Sequence, residues 1–234
     1  MALKGKSFIV TGGTRGIGRG LVEALLGAGG RVAFCGRSAK TVAKAVEEMK
    51  GLGGALIGLA GDIGSDGDAK KLAGAALSAF GAVDFLINNA AVLATPDTVV
   101  NTPPKVWEEV LRVNVAGTVN MIRHVLPGMQ KRRSGAIVNL SSGWGRVGEA
   151  RVASYCASKF AVEGLSQSVA AEAGRGVVVI ALNPGIIATD MLATAFESDV
   201  SRYPSPRDIA PRWLRLLESL EPKDNGRSLD LDDF

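Results

Sequence analysis

Short apolar runs alternate with longer stretches of helical periodicity along the chain, and this order limits the fold more than any other feature. The apolar runs are SFIVTG (7–12), RVAFCG (31–36), LIGLAGD (56–62), VDFLINN (83–89), GAIVNLSS (135–142), GVVVIALNPG (176–185) and RSLDL (227–231). Helical patterns cover 18–27, 40–52, 66–80, 104–132, 153–174 and 206–220, while 95–104 and 193–206 read as loops. Strands that are apolar throughout, with no period-2 alternation, are buried on both faces. A strand-helix alternation of that kind closes on a parallel sheet with helices on each side. The expectation is an α/β chain: one doubly wound domain over residues 1–234, with about seven strands.

At 234 residues, 47% hydrophobic and 21% charged, the chain can bury a sizeable core and is neither disordered nor fibrous. The formal charge is a modest +4. Its densest basic cluster, Lys131-Arg132-Arg133, sits at a helix end, where cations complement the dipole, so no nucleic-acid partner is expected. Cys35 and Cys156 are too few and too far apart for a disulfide framework or a CxxC unit. The first strand begins within a few residues of Met1, and the longest apolar run, 177–182, is too short to cross a bilayer. These features suggest a cytoplasmic protein without a membrane partner. His124 is the sole histidine, on an amphipathic helical stretch with no carboxylate near it in sequence. That speaks against Ser-His-Asp hydrolysis and against a metal site.

In IVTGGTRGIGRGLVEALL, Gly12, Gly16 and Gly18 fall on the turn between the first strand and the first helix. Glycines there let the backbone approach a pyrophosphate and aim the unpaired N–H groups of the helix at negative charge. A bare structural turn would also use them, and the spacing is GxxxGxG in place of GxGxxG. The end of the second strand should name the cofactor, since an acid there accepts from a ribose 2′-hydroxyl. The segment 34–38, FCGRS, has no acid and carries Arg37, which, like Arg15 in the turn, could pair with a 2′-phosphate. NADP(H) is favoured over NAD(H), although Arg37 could also simply cap the strand.

Tyr155 and Lys159 are one helical turn apart, so a phenol and an ammonium share one face of an otherwise apolar helix. Ser142 ends a strand thirteen residues before Tyr155, and Asn114 lies within the preceding long helix. Together with TGGTRGIG, NNAA (88–91) and NPGIIATDM (183–191), this chain resembles the short-chain dehydrogenase/reductase family in order and spacing over nearly its whole length. The resemblance implies a Rossmann domain and a hydride-transfer site built from Asn114, Ser142, Tyr155 and Lys159. It implies cofactor contacts at Gly12, Thr14, Arg15, Gly16, Ile17, Gly18 and Arg37, at Asp62 for the adenine and Asn89 on the adenosine side. Pro184, Gly185 and Thr189 would stand at the nicotinamide end, with Tyr155 and Lys159 on the nicotinamide ribose. Where the family usually has glycine this chain has Ala91.

The implied chemistry has a physical logic. A free tyrosine, pKa about 10, is a poor proton partner at neutral pH, and lowering it by about two pH units takes about 2.7 kcal/mol of differential stabilisation. Lys159 is expected to supply it. Ser142 would donate to the substrate oxygen, and Asn114 would hold a water linking Lys159 to solvent. Each residue also has a bland use: Asn114 in satisfying backbone where a helix bends, Ser142 in ending a strand, Tyr155 in the core.

Within the family, Trp144, Gly145, Arg146, Cys156 and the segment DNGRSL are similar to plant-type NADPH-dependent pterin aldehyde reductases. Trp144 could stack on a flat heteroaromatic ring or pack beneath a loop, and Arg146 is a second candidate substrate contact. The expected partner is a small-molecule carbonyl compound, an aromatic or pterin-type aldehyde. A 3-oxoacyl thioester, an alcohol, or a binding protein that senses NADP(H) without turnover remain as alternatives. Association as a homodimer or homotetramer through the helical stretches 104–132 and 153–174 is also implied, with Ala157, Ala161, Ser168 and Ala171 small enough for close contact.

Overall fold

The computed structural model describes residues 3–196 and 200–234. Seven parallel strands form one sheet: β1 (Ser7–Val10), β2 (Arg31–Gly36), β3 (Ala55–Ala60), β4 (Phe85–Asn88), β5 (Gly135–Leu140), β6 (Val177–Asn183) and β7 (Ser228–Asp230). Their spatial order is β3-β2-β1-β4-β5-β6-β7. The chain winds one way from β1 to β3, then crosses back to lay β4 against the other side of β1. Consecutive strands run parallel, so each connection must travel the length of the sheet, and helices do that work.

Those helices are α1 (Gly16–Gly27), α2 (Ala39–Met49), α3 (Asp66–Phe80), α4 (Pro104–Leu111), α5 (Gly117–Arg132), α6 (Ala153–Glu172), α7 (Asp190–Phe196) and α8 (Ala210–Ser219). Alternate residues of each strand point to opposite faces, so the sheet splits the core in two. Phe8, Val10 and Phe34 pack with Leu21, Leu25, Trp213 and Leu216 of α1 and α8. Ile9, Ala33, Leu86 and Ile137 pack on the other side with Leu72, Met121 and Val125 of α3 and α5. Phe8 and Phe85 stack at 4.9 Å between neighbouring strands.

Three sequence expectations change. The helix expected over 104–132 is interrupted by a π-helical turn, Arg112–Ala116, between α4 and α5. Such single π-helical turns sit inside otherwise continuous α-helices, frequently at functional sites. The loop expected from 193 begins later, because α7 runs to Phe196; residues 197–199 of that loop lie outside the described residues. At the last helix, Ser205 and Asp208 form a reciprocal turn, Ser205 N donating to Asp208 Oδ2 at 2.8 Å, and α8 starts only at Ala210.

Candidate active site

The carboxyl ends of β1 and β4 diverge where the winding reverses, and a crevice opens there. A cavity of about 430 Å³ occupies it, lined from Arg37 and Asp62 at one end to Tyr155, Lys159, Pro184 and Thr189 at the other. Gly12, Thr14, Arg15, Gly16, Ile17 and Asn89 line it between these ends. Gly12 has φ +71°, a conformation that favours glycine. Gly18 is required by space: a Cβ there would lie 2.4 Å from Gly12 O and from Asn89 Nδ2. Turn and helix start are thus packed against β4, leaving N–H groups of the α1 start available to an anion.

Asn89 braces that turn. Its Nδ2 donates to Thr11 O at 2.8 Å and to Gly12 O at 3.3 Å, using both protons on the protein. Thr11 Oγ1 accepts from Asn89 N and Ala90 N at 3.0 and 2.9 Å, tying β1 to the chain just past β4. The backbone at 90–91 is therefore held without a glycine at Ala91. Asn89 lines the cavity, but its amide donors shape the glycine turn.

At the far end, Asp62 Oδ1 accepts from Gly64 N at 2.9 Å and Oδ2 from Arg112 at 2.7 Å. Burial pushes the Asp62 carboxyl up, and the bonds from Arg112 and Gly64 with the charge of Arg37 outweigh it, leaving it below the ordinary range. Arg112 also grips Glu109 at 2.9 and 2.8 Å, and Glu109 Oε1 lies 3.7 Å from Arg37. An acid thus does reach the end of β2, delivered from α4 and invisible in the local segment 34–38. It is already held by Arg112, and its pairing with Arg37, whose side chain is 62% exposed, is of the kind worth at most about 1 kcal/mol. Arg37 can leave it for a phosphate. Arg15 is more exposed still, and it pairs with Asp190 at 3.3 Å.

Tyr155 and Lys159 lie on α6, both buried, with Lys159 Nζ 5.5 Å from the centre of the Tyr155 ring. Nζ donates to Leu140 O at 2.6 Å, not to the phenol oxygen. Burial pushes the Tyr155 hydroxyl above its ordinary pKa and the Lys159 ammonium down to about 8, a fall that Glu163 opposes. The expected depression of the phenol by the lysine is corrected here: within the protein alone, desolvation wins. Ser142 caps the short turn Gly143–Gly145, its Oγ accepting from Trp144 N at 3.2 Å, which leaves the hydroxyl proton free to be donated.

Asn114 sits in the π-helical turn, and its side chain is spoken for. Oδ1 accepts from Val92 N at 2.8 Å, while Nδ2 donates to Val92 O and Ser158 Oγ, each at 3.0 Å. Ser158 in turn donates to Tyr155 O at 2.7 Å. The side-chain amide of Asn114 thus joins the chain after β4 to the turn of α6 that carries Tyr155, so a water held by Asn114 would fall to its main chain. Ser158, Arg112 and Glu109 were not identified from sequence. Only the i+3 step from Tyr155 to Ser158 gave a local signal.

A second cavity, about 270 Å³, opens from the first. Ser141, Tyr155, Pro184, Thr189 and Met191 line both. Ser142, Leu93, Trp144, Ile186 and Leu192 complete much of its wall, and among the described residues no charged side chain does. Trp144 meets Tyr155 edge to face at 6.0 Å and 85°. Gly185 turns into this space at φ +81°, its N–H donating to Asn183 Oδ1 at 3.2 Å. Arg146 does not line either cavity: its guanidinium is bonded to Ser228, Leu229 and Asp230 of β7, so its expected substrate contact is corrected.

Residues 6–199 match the family model for short chain dehydrogenases. The chain belongs to the short-chain dehydrogenase family. Within it, the chain is 36% identical over 224 residues to the NADPH-dependent pterin aldehyde reductase of Arabidopsis thaliana, covering 96% of this chain and 92% of that protein. A 3-oxoacyl-(acyl-carrier-protein) reductase of Staphylococcus epidermidis is 37% identical over 188 residues, 80% of this chain and 77% of that one. Among solved structures, a short-chain dehydrogenase from Shigella flexneri complexed with NADP superposes with a TM-score of 0.90 at 28% identity, over 99% of this chain and 98% of that one.

Other sequence readings concern residues away from the crevice. His124 Nε2 bonds Asp66 Oδ1 at 2.9 Å, so a carboxylate does reach it, from α3, but neither residue lines the cavities. Among the described residues no group of three His, Cys, Asp or Glu side chains is placed to hold a metal, and no helix is long and apolar enough to cross a membrane.

Proposed function

We propose that this chain is an NADPH-dependent carbonyl reductase acting on a neutral aromatic or pterin-type aldehyde. The observation that carries the reading is the junction of the two cavities. Tyr155 lines both, so its side chain stands where a long cleft suited to a dinucleotide meets a pocket with no charged side chain among its described residues. The glycine turn at 12–18 fits a pyrophosphate, Arg37 and Arg15 a 2′-phosphate, and Asp62 with Ile63 an adenine edge. A bound nicotinamide would supply the hydride.

The protein's own groups handle the proton. Burial keeps Tyr155 protonated at neutral pH, which is the state a general acid needs before reduction begins. As the substrate oxygen gains charge, Ser142 donates to it and Tyr155 gives up its proton. Lys159, still an ammonium below about 8, then stands beside the phenolate. Asn114 and Ser158 keep that turn of α6 in place through Val92 and Tyr155 O.

The described wall of the pocket supports a neutral ligand, since an anionic one would meet no countercharge among those residues. Trp144 offers a flat face near the reacting end, and the Arabidopsis relative acts on a pterin aldehyde by its name. Leu93, Ile186, Met191 and Leu192 would also accept an acyl chain, which keeps a 3-oxoacyl thioester as the second reading. Trp144→Ala separates them: kcat/KM should fall at least about tenfold for a flat aromatic aldehyde and much less for a short aliphatic one. Parallel losses would remove the aromatic assignment. A chain that binds NADPH and turns over no carbonyl would be a sensor. The proposal extends to a homodimer or homotetramer joined through α4, α5 and α6, where Leu111 and Phe160 are left exposed; a monomer by sedimentation would contradict this.

A further inference from the structure

Ser142 and Gly185 follow different strands, β5 and β6, yet both line the same small cavity. Pro184, next to Gly185, lines the dinucleotide cleft as well, so the separation of the two segments must be fixed for a substrate oxygen and a nicotinamide to meet. Arg146 closes the segment that begins at Ser142, and its fork reaches across to β7. Nη1 donates to Asp230 Oδ2 at 2.7 Å, Nε and Nη2 to Ser228 Oγ at 3.1 and 2.8 Å, and Nη2 to Leu229 O at 3.0 Å. The other oxygen of Asp230 accepts from Asn183 Nδ2 at 2.6 Å, and Asn183 Oδ1 accepts from Gly185 N at 3.2 Å. Hydrogen bonds therefore run without a break from the serine segment to the backbone of Gly185.

We infer that Arg146 is a positioning residue, locking the Ser142 segment to the Asn183–Gly185 turn so that the donor to the substrate oxygen and the cofactor-facing backbone keep one spacing. This rests on the reductase reading of the site. Three of its nitrogens act at once, and a planar fork can do that where a lysine's single ammonium cannot. Burial would push the Asp230 carboxyl up, and the bonds from Arg146 and Asn183 hold it below its ordinary range, so the acceptor stays charged. On its other side Arg146 Nε lies 3.7 Å from Glu163 Oε1, a buried oxygen with no hydrogen bond among the described residues. Glu163 is one turn beyond Lys159 on α6, so the same guanidinium also borders the helix that carries the phenol and the ammonium.

Arg146→Lys keeps the positive charge between Glu163 and Asp230 and removes only the fork. The expected result is a kcat lower by about tenfold or more, an NADPH Kd higher by about threefold or more, and an aldehyde KM within about twofold of wild type. A rise in aldehyde KM alone would make Arg146 a substrate contact and overturn the inference. So would wild-type values throughout. Ser228→Ala deletes two of the bonds without touching charge and should move kcat and Kd in the same direction by less; no movement would count against the inference even if Arg146→Lys failed to fold. The NADPH Kd, read by quenching of protein fluorescence, needs no turnover. If the wild-type chain bound NADPH but reduced no carbonyl, the proposed function would fall while the Kd shift still decided the role of Arg146.

Discussion

Burial acts in opposite senses on the two ionisable groups of α6, protecting the proton on Tyr155 and loosening the one on Lys159. The sign gives a pH prediction. The ammonium is the working form, so kcat should be level below neutrality and fall as pH rises through about 8, where Lys159 loses its charge. Glu163 favours that charge, and Glu163→Gln should move the alkaline limb to lower pH. A limb at the same pH in both proteins would contradict the assignment. At the other end of the cleft, NADPH should be preferred over NADH by at least about tenfold in kcat/KM, a difference of about 1.4 kcal/mol that one charge-assisted phosphate contact can supply. Arg37→Asp should reverse it, and equal use of both cofactors by the wild type would remove the argument. The positions of these residues could be read from the sequence because helical spacing and strand ends are local. Their partners could not: Glu109 reaches Arg37 from 72 positions along the chain, and Asn114 reaches Ser158 from 44.

Elements matter here through their ends and their interruptions. The π-helical turn Arg112–Ala116 points Arg112 at Asp62 and Asn114 at Val92, two tasks that sequence periodicity does not report. Removing the Asn114 amide takes from Val92 N and O the partner that Asn114 supplies, so Asn114→Ala should cost about 1–3 kcal/mol in denaturant unfolding and lower kcat as well. A change below about 0.5 kcal/mol would mean that the amide is idle, the level of an ordinary surface substitution. The inner strands β1, β4, β5 and β6 were legible because they are buried and apolar over most of their length, and α3 was legible to its ends because Ser65 caps it and Gly81, at φ +77°, stops it. α7 was missed because a helix of seven residues carries too few turns for a periodic signal.

For the whole molecule, alternation in sequence became a doubly wound sheet, and the reversal between β1 and β4 placed the crevice. The strand order itself was not legible, since it depends on which face each crossover covers. Every proposed role converges on one place in that architecture: the Tyr155 side chain, bordered by the cleft on one side and the smaller pocket on the other. The most direct test is NADPH oxidation with a flat aromatic aldehyde by the wild type and by Tyr155→Phe, with NADPH Kd measured on both. The account predicts turnover by the wild type and a loss in kcat of at least about 100-fold in the variant, with Kd changed far less, because the proton donor has gone while Lys159 still stands for the nicotinamide ribose. A Tyr155→Phe protein that kept more than about a tenth of the wild-type kcat would contradict it.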